Sequence, residues 1–328
     1  METIEKKPLV SVIVITYNSA NYVLETLESV KIQTYQNIEL IISDDCSTDD
    51  TVAVCKAWLK KNKERFVNTK IITVKENTGI PKNCNRGLYA AKGEWVKTIA
   101  GDDALMPNCI RDNIEFVQSN ADIKFCFSRM FSYRNKFKEE HLIERDDTSQ
   151  EMLSIKFSEL SPKLQLQVMV RRIVIYGATT FYRKEALKSI GGYDETYKFI
   201  EDWPTWYNWL KEGEKIYYLP KVTVKYREHS QSITNHKSSI DIDFSDFRSK
   251  VRSLIETRFL CHYTLKEIFF YKIEYSYYDY FKNNNSENLF KRIIQRAWYF
   301  LVQLSILQRD TYVDKRHSNY VKNNFREK

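Results

Sequence analysis

Glycine and proline are scarce in this chain, which has eight glycines and six prolines among its 328 residues. Collagen-like chains and low-complexity disordered chains contain far more of both, so these two classes are excluded. The sequence also has no internal repeat, and nothing in it is typical of a fibrous protein. A chain of this length is instead able to bury one large core, or one α/β domain with a smaller appendage.

Paired cysteines and long apolar runs are also missing. The six cysteines are scattered and form no C-x-x-C pair, which argues against a zinc site and a disulfide framework and favours reduced, partly buried thiols. No stretch approaches the roughly 20 apolar residues of a membrane-spanning helix. The apolar run over residues 9–15 is too short for a signal peptide and indicates a buried strand. We therefore expect a cytoplasmic protein.

Positive charge is concentrated near the C-terminus. The net charge is +8, and residues 236–328 carry 17 Lys and Arg against 11 Asp and Glu. Such a region could contact nucleic acid, anionic lipid or an acidic substrate. Because the basic residues are interleaved with acidic ones, we expect no nucleic-acid partner.

Strand and helix patterns alternate along the first part of the chain. Their order predicts an α/β fold, with a mostly parallel sheet flanked by helices on both faces. The predicted strands are residues 10–16, 38–42, 66–74 and 95–99, and the predicted helices are residues 22–31, 51–62 and 82–91. Ligands of such sheets bind beyond the carboxyl ends of the strands.

The second part of the chain predicts a less regular arrangement. We expect a long helical insertion over residues 150–170 and further strands over residues 173–179 and 221–227. Beyond residue 233 the pattern becomes helical and aromatic-rich. We therefore predict a first domain over residues 1–235, made of parts 8–105 and 106–235, and a helical, basic region over residues 236–328.

Acidic pairs follow two of the predicted strands. Asp44-Asp45 could accept hydrogen bonds from a nucleobase or a ribose, or could belong to a solvated loop that caps the next helix. Asp102-Asp103 follows a glycine at a strand end, and its oxygen atoms suit Mg²⁺ or Mn²⁺, although a simple turn also fits. Two such pairs in one parallel sheet favour a shared nucleotide and metal site.

Two later segments also contain candidate functional residues. Asp202 opens a predicted helix, where a carboxylate could be a general base or only a helix cap. Arg227 and His229 follow the strand predicted over residues 221–227. There, Arg227 could pair with a phosphate, while His229 could bind a metal, donate to a phosphate or simply be exposed.

Taken together, these segments resemble the inverting, family-2-type glycosyltransferases with the GT-A fold. The resemblance covers residues 8 to about 235, in the family's order and spacing, and the combination is far more specific than any single motif. The segments that carry it are Val10–Asn18, Gln33–Asp45, Asp49–Thr51, Asn77-Thr78-Gly79, Asn85-Arg86-Gly87, Gly93-Glu94-Trp95, Gly101-Asp102-Asp103, Gly191-Gly192-Tyr193-Asp194, Glu201-Asp202 and Tyr226-Arg227-Glu228-His229.

The resemblance implies roles for individual residues. The nucleotide-sugar, expected to be a UDP-sugar, would be held by Thr16, Tyr17, Asn18, Asp45, Asn85 and Asp102. Asp102 would face the ribose or the metal, and Asp45 the uracil. Mn²⁺ or Mg²⁺ would be held by Asp103 and His229. Asp202 would be the general base, with Glu201 and Trp203 on the acceptor side.

The resemblance also implies a reaction, the transfer of one sugar to an acceptor hydroxyl with inversion. By analogy, the acceptor would be a growing or polyprenyl-diphosphate-linked oligosaccharide of a bacterial surface polysaccharide, such as O-antigen or capsule. A non-catalytic nucleotide-sugar-binding module is the alternative. A nucleotidyltransferase is disfavoured because the sequence has no Gly-rich phosphate loop after the first strand. A processive synthase is disfavoured because the sequence has no spanning helices and no Q-x-x-R-W motif.

The sequence departs from the family pattern at two positions. Ala100 stands where the family commonly has Asp, and Cys84 stands where it often has Arg. The second departure removes an expected contact to the nucleotide.

An amphipathic pattern marks the C-terminal region, outside the resemblance. Residues 289–309 place a row of apolar side chains on one helical face and basic ones mostly elsewhere. Such a helix either packs on the first domain or lies on an anionic membrane, where it would make the protein peripheral on the cytoplasmic face.

Overall fold

The computed structural model describes residues 7–144, 148–171, 174–230, 244–265, 267–269 and 271–272. The chain divides into two compact units, Met1–Arg252 and Ser253–Lys328. The domain boundary predicted near residue 235 and the helix predicted over residues 289–309 lie outside the described residues. Among the helices that are described, none has the length and apolar character needed to cross a membrane.

The first four strands form the parallel part of one sheet, as the sequence predicts. They are β1 (Val10–Thr16), β2 (Ile38–Asp44), β3 (Asn68–Thr73) and β4 (Trp95–Ala100), in the order β3-β2-β1-β4. Val12 on β1 pairs with Leu40 on one side and Lys97 on the other. Strands β1 and β2 are nearly all buried because helices cover both faces of the sheet, which explains their continuous apolar sequence.

Three helices connect these strands, namely α1 (Val23–Lys31), α2 (Thr51–Asn62) and α3 (Ile80–Ala90). Alternate residues of β1 point to opposite faces, so Val12 and Val14 share a core with α1 and α2. The other face of β1 meets α3, where Gly87 lies directly over Ile13. A Cβ at residue 87 would stand 2.3 Å from Ile13 Cγ2, so this close helix–sheet contact requires glycine.

The sheet continues beyond β4 as a mixed sheet. The further strands are β5 (Ala104–Leu105), β6 (Phe125–Arg134), β7 (Leu142–Glu144), β8 (Phe181–Arg183) and β9 (Tyr217–Glu228). The strand order after β4 is β8-β6-β9-β5, with β7 beside β6. The remaining helices are α4 (Cys109–Gln118), α5 (Thr148–Glu159), α6 (Pro162–Met169), α7 (Lys184–Ser189), α8 (Asp202–Lys211) and α9 (Phe244–Leu254).

Two elements differ from the sequence prediction. The helix expected over residues 150–170 is split into α5 and α6, because Pro162 lacks an N–H and fits only the first turn of a helix. The strand expected over residues 173–179 is wrong, since Gly177–Thr179 forms a 3₁₀ turn and the strand begins only at Phe181. The hydroxyls of Thr179 and Thr180 donate to the carbonyls of Tyr176 and Gly177, and these local bonds replace a sheet ladder.

Candidate functional site

The turns after β1 and β2 are joined by side-chain hydrogen bonds. Thr16 Oγ1 donates to Asp44 Oδ1 at 2.8 Å, and the backbone N–H of Asn18 donates to Ser47 Oγ at 2.8 Å. Asn18 has a left-handed φ of 50°, and its side-chain oxygen accepts the N–H of Thr48 at 2.8 Å. The predicted nucleoside-binding turn is therefore fixed against the acidic turn.

Asp45 lies behind this turn and is almost fully buried, with 3% of its surface exposed. It accepts the N–H and hydroxyl of Thr78 at 3.0 and 2.7 Å and the N–H of Gly79 at 2.7 Å. Arg86 Nη2 donates to the same carboxylate at 2.6 Å. By contrast, Tyr17 on the turn itself is 39% exposed, so its ring is the accessible part of the nucleoside-binding set.

Arg86 places a guanidinium beside Asp45. Cys84, which stands at the usual arginine position, is buried in α3. Arg86 lies two residues further along the same helix and reaches the carboxylate of Asp45 from there. An arginine is thus present beside Asp45, although it comes from a different position of the chain.

The acidic turn after β4 brings Asp102 and His229 together. His229 Nε2 lies 3.0 Å from Asp102 Oδ2, and the His229 ring packs 4.4 Å from the ring of Tyr22. Asp103 points inward instead, where its Oδ1 accepts the N–H of Arg227 at 2.8 Å. Burial, and then the charge of Asp102, raise the pKa of Asp103 well above its ordinary value.

Arg227 holds this turn in place from within the protein. Its side chain is 2% exposed and donates to the carbonyl of Asp102 at 2.6 Å and to a carboxylate oxygen of Glu25. The guanidinium also lies 5.0 Å from the ring centre of Tyr22 and 3.9 Å from that of Phe137. Arg227 is therefore committed to contacts within the protein rather than to a phosphate.

The donor atoms at this turn fit a divalent cation. Asp102 Oδ2 and His229 Nε2 lie 3.0 Å apart, at hydrogen-bond distance, and a carboxylate and an imidazole are both ligands of divalent cations. Among the described residues, no cluster contains three acidic, His or Cys side chains that could hold a metal. A cation bound here would take its other ligands from diphosphate oxygens and water, as is common for Mg²⁺ at phosphate sites.

The predicted general base lies at the start of α8. Asp202 Oδ1 accepts the N–H of Trp203 at 2.7 Å, which fixes the carboxylate at the helix end. Burial, followed by the charge of Asp202, raises the pKa of Glu201 to about 8. Burial also raises the pKa of Asp202, and backbone hydrogen bonds oppose this rise. Burial of the pair thus disfavours ionisation of both carboxylates at once.

Asp45 and the Glu201–Asp202 pair both affect Cys84 electrostatically. Burial raises the pKa of the Cys84 thiol well above its ordinary value, and the charges of Glu201, Asp202 and Asp45 raise it further. The thiol therefore lies within the electrostatic reach of the predicted nucleotide side and the predicted base. Asp45 and the Glu201–Asp202 pair thus act on the same thiol although they are more than 150 positions apart in the sequence.

Asn85 forms hydrogen bonds with Tyr193 and Glu195, in the segment that precedes α8. Its side chain accepts the N–H of Tyr193 at 2.8 Å and donates to the carbonyl of Tyr193 and to Glu195 Oε1, both at 2.8 Å. These bonds attach α3 to the segment that leads into α8. Asn85 thus lies between the predicted nucleotide-binding residues of α3 and the segment that leads to the predicted acceptor residues.

Sequence reasoning missed Arg86, Tyr22 and Lys97. Lys97 is a charged residue inside an otherwise apolar strand, a signal that could have been noticed, and it is fully buried. Arg86 lies within the quoted motif Asn85-Arg86-Gly87, but only the folded helix shows that its side chain reaches Asp45. Tyr22 lacks any local signal, because its partner His229 is more than 200 residues away.

Comparison with known proteins identifies a family whose model this chain matches. The family model described as Glycosyl transferase family 2 matches residues 11–191, which is more than half of the chain. A Rickettsia typhi protein described as an uncharacterized glycosyltransferase, RT0329, is 30% identical over 232 residues, covering 70% of this chain. The chain spans 66% of that relative's own length.

Two further matches are a relative whose activity is named and a solved structure with a similar fold. Escherichia coli WfaP, named as a UDP-Glc:alpha-D-GlcNAc-diphosphoundecaprenol beta-1,3-glucosyltransferase, is 29% identical over 81% of this chain and 93% of its own. The crystal structure of S. aureus TarS 1-349 in complex with UDP-GlcNAc matches with a TM-score of 0.55 at 23% identity. That match covers 76% of this chain and 66% of the TarS chain, and it confirms the GT-A fold.

Proposed function

Because the chain belongs to glycosyl transferase family 2, we propose that it transfers one sugar from a UDP-sugar to an acceptor hydroxyl with inversion. The observation that carries this proposal is the Glu201–Asp202 pair. The pair lies at the start of α8, and the pKa of both residues is raised. Its charges also raise the pKa of the Cys84 thiol, as does the charge of Asp45 on the proposed nucleotide side. Raised carboxylate pKa values in such a place favour acid–base chemistry.

The donor would bind on the turn formed by Thr16, Tyr17 and Asn18. The exposed Tyr17 ring offers a surface on which a base can stack. Asp45, with Arg86 beside it, would define the polar edge of the base site. A uracil nucleotide is favoured because WfaP is named for UDP-glucose and TarS was crystallised with UDP-GlcNAc.

A divalent cation would be held by Asp102 and His229, whose side chains lie at hydrogen-bond distance from each other. We assign Asp103, which the sequence also offers as a ligand, to supporting the turn through Arg227. When bound, the cation would neutralise the charge that develops on the departing diphosphate. The organised turn keeps Asp102 and His229 in position before the donor arrives.

Asp202 would take the proton of the acceptor hydroxyl. One base acting on a nucleophile that attacks the sugar carbon directly gives a single displacement, and a single displacement inverts the anomeric centre. With its pKa raised to about 8, Glu201 would keep its proton at neutral pH. An uncharged Glu201 beside Asp202 avoids two buried negative charges at the acceptor hydroxyl.

The acceptor would be a lipid-linked or growing oligosaccharide of a surface polysaccharide. WfaP supports this class because its name contains a diphosphoundecaprenol-linked GlcNAc acceptor. The basic region over residues 236–328, with the amphipathic pattern at 289–309, would suit an anionic membrane that carries such lipids.

The experiment is a panel of nucleotide-sugars with Mn²⁺ or Mg²⁺, read by thermal shift and by slow hydrolysis to free nucleotide. We expect metal-dependent stabilisation by one UDP-sugar and slow release of UDP from it. Metal-dependent binding without any turnover, even with a GlcNAc-diphosphate-alkyl acceptor, would favour the non-catalytic binding module. No response to any nucleotide would contradict both functions.

A further inference from the structure

Gly177 is unusual among the eight glycines because neither backbone nor packing requires glycine there. Four of the others have a positive φ that disfavours side chains, namely Gly79, Gly191, Gly192 and Gly213. In the remaining three, a Cβ would stand 2.8 Å or less from a neighbouring atom, namely in Gly87, Gly93 and Gly101. Gly177 has no positive φ, and its nearest neighbour is at an ordinary contact distance.

The neighbours of Gly177 are the oxygens of the proposed catalytic pair. A Cβ at residue 177 would lie 3.4 Å from Asp202 Oδ2 and 3.5 Å from Glu201 Oε1. The Asp202 oxygen on this side is not the one that accepts the Trp203 N–H. The absent side chain thus leaves space directly in front of both carboxylates.

The turn that carries Gly177 is held by hydrogen bonds from Lys97 and Thr180. Lys97, fully buried on β4, donates its ammonium group to the carbonyls of Ala178 and Thr180. Thr180 Oγ1 donates to the carbonyl of Gly177 at 2.8 Å. Because these bonds fix the turn, the space in front of the carboxylates keeps its shape rather than closing by local collapse.

We propose that Gly177 is a specificity-determining residue, whose missing side chain forms the slot that admits the acceptor's carbinol group to Asp202. This inference rests on the proposed function. A methyl group at residue 177 would occupy the position of the acceptor carbon, whereas a water molecule, being smaller, still reaches Asp202. Glycine at this position therefore decides between a sugar hydroxyl and water as the nucleophile.

The test compares Gly177→Ala with the unaltered full chain, using the UDP-sugar that the unaltered chain hydrolyses fastest. Two rates are measured: hydrolysis to UDP without acceptor, and transfer to a GlcNAc-diphosphate carrying a short alkyl chain. Gly177→Ala should lower transfer at least about tenfold, with hydrolysis and donor affinity within about twofold of the unaltered chain. Thr180→Val is the matched control, because it removes a bond of the same turn without filling the slot, and it should keep the ratio of transfer to hydrolysis.

Several outcomes would overturn the inference. It fails if Gly177→Ala transfers as well as the unaltered chain, or if transfer and hydrolysis fall together in a variant that melts normally. It also fails if Thr180→Val lowers the ratio as much, since turn disorder would then explain the effect. Absence of hydrolysis and transfer in the unaltered chain would instead contradict the proposed function.

A second measurement needs no variant and covers the case in which Gly177→Ala does not fold. Methanol is the smallest carbinol, so molar methanol should divert part of the hydrolysis product of the unaltered chain into the methyl glycoside. Hydrolysis that continues with no methyl glycoside would show that the space does not admit a carbinol, and the inference would be wrong.

Discussion

The two acidic pairs Asp44–Asp45 and Glu201–Asp202 have the same kind of side chain in very different surroundings. Asp44 accepts hydrogen bonds from Thr16 and from the N–H and hydroxyl of Ser47. Asp45 accepts four more, from Thr78, Gly79 and Arg86. Asp202 accepts the N–H of Trp203 on one oxygen and presents the other to the space beside Gly177.

This difference separates carboxylates that build a site from carboxylates that can act in it. Hydrogen bonds to a buried carboxylate stabilise its charge and fix its position, so the first pair orders two turns on which a nucleoside can rest. The second pair is buried with fewer compensating bonds, which raises the pKa of both members. A carboxylate in that state can accept a proton during a reaction.

The largest effect should come from Asp202→Asn, which removes the proposed base from the second pair. We expect transfer to fall by about 10³-fold, within the range for loss of a general base, because the amide cannot take the acceptor proton. Folding and donor affinity should be unchanged, since Asn keeps the acceptor oxygen for the Trp203 N–H. The measurement is kcat for transfer, with donor affinity by calorimetry at equal metal concentration.

Glu201→Gln is the matched control for that variant. Glu201 already holds its proton at neutral pH, with a pKa of about 8, so an uncharged amide of similar shape should lower kcat far less. Equal losses in the two variants, or normal turnover by Asp202→Asn, would contradict the assignment of the base to Asp202.

The next largest effect should distinguish Asp102 from Asp103. Asp102→Asn should raise the Mn²⁺ concentration needed for half-maximal donor binding about 10- to 100-fold, because it weakens one of the two proposed ligands. Asp103→Asn should change that concentration little, since an amide oxygen can still accept the Arg227 N–H. Calorimetric titration of the donor at several Mn²⁺ concentrations measures both. A larger effect at Asp103 would instead indicate that Asp103 is the metal ligand, as the sequence motif predicts.

Much of the fold could be predicted from the sequence because local signals there agree with tertiary packing. The continuous apolar strands β1 and β2 are buried on both faces, and the predicted helix over 51–62 matches α2 to the residue. The strand predicted over 173–179 failed for a physical reason. Val174 and Ile175 are buried as expected, but hydroxyls of Thr179 and Thr180 satisfy nearby carbonyls within a turn.

Less of the site could be predicted, because its decisive contacts join distant residues. The motifs named Asp45, Asp102 and Asp202 correctly as neighbours of strand and helix ends. They could not show that Arg86 reaches Asp45, or that Arg227 is buried against Tyr22 and Phe137. Sequence spacing gives positions along an element, whereas these contacts depend on how separate elements pack.

A smaller effect should follow from Arg86→Met in the first pair. Losing the guanidinium leaves the buried Asp45 charge with its three bonds from Thr78 and Gly79, which should lower the free energy of unfolding by about 2 kcal/mol. Donor affinity should fall about tenfold, while kcat at saturating donor stays similar. Chemical denaturation and donor titration provide the measurements, with Arg86→Lys as the variant that keeps the charge. A large loss of kcat with unchanged donor affinity would place Arg86 with the second pair instead.

The smallest effect concerns how stability depends on pH in the second pair. Because the folded protein holds the Glu201 proton up to a pH of about 8, while the unfolded chain releases it near the ordinary value of 4.5, the folded state binds more protons in this window. Stability should therefore fall as the pH rises from about 5 to 8, by a few degrees in Tm. Glu201→Gln has no proton to lose, so its Tm should fall less over the same range. Parallel Tm curves for the two proteins would mean that Glu201 is ionised at neutral pH, and the contrast between the two acidic pairs would then rest on hydrogen bonding alone.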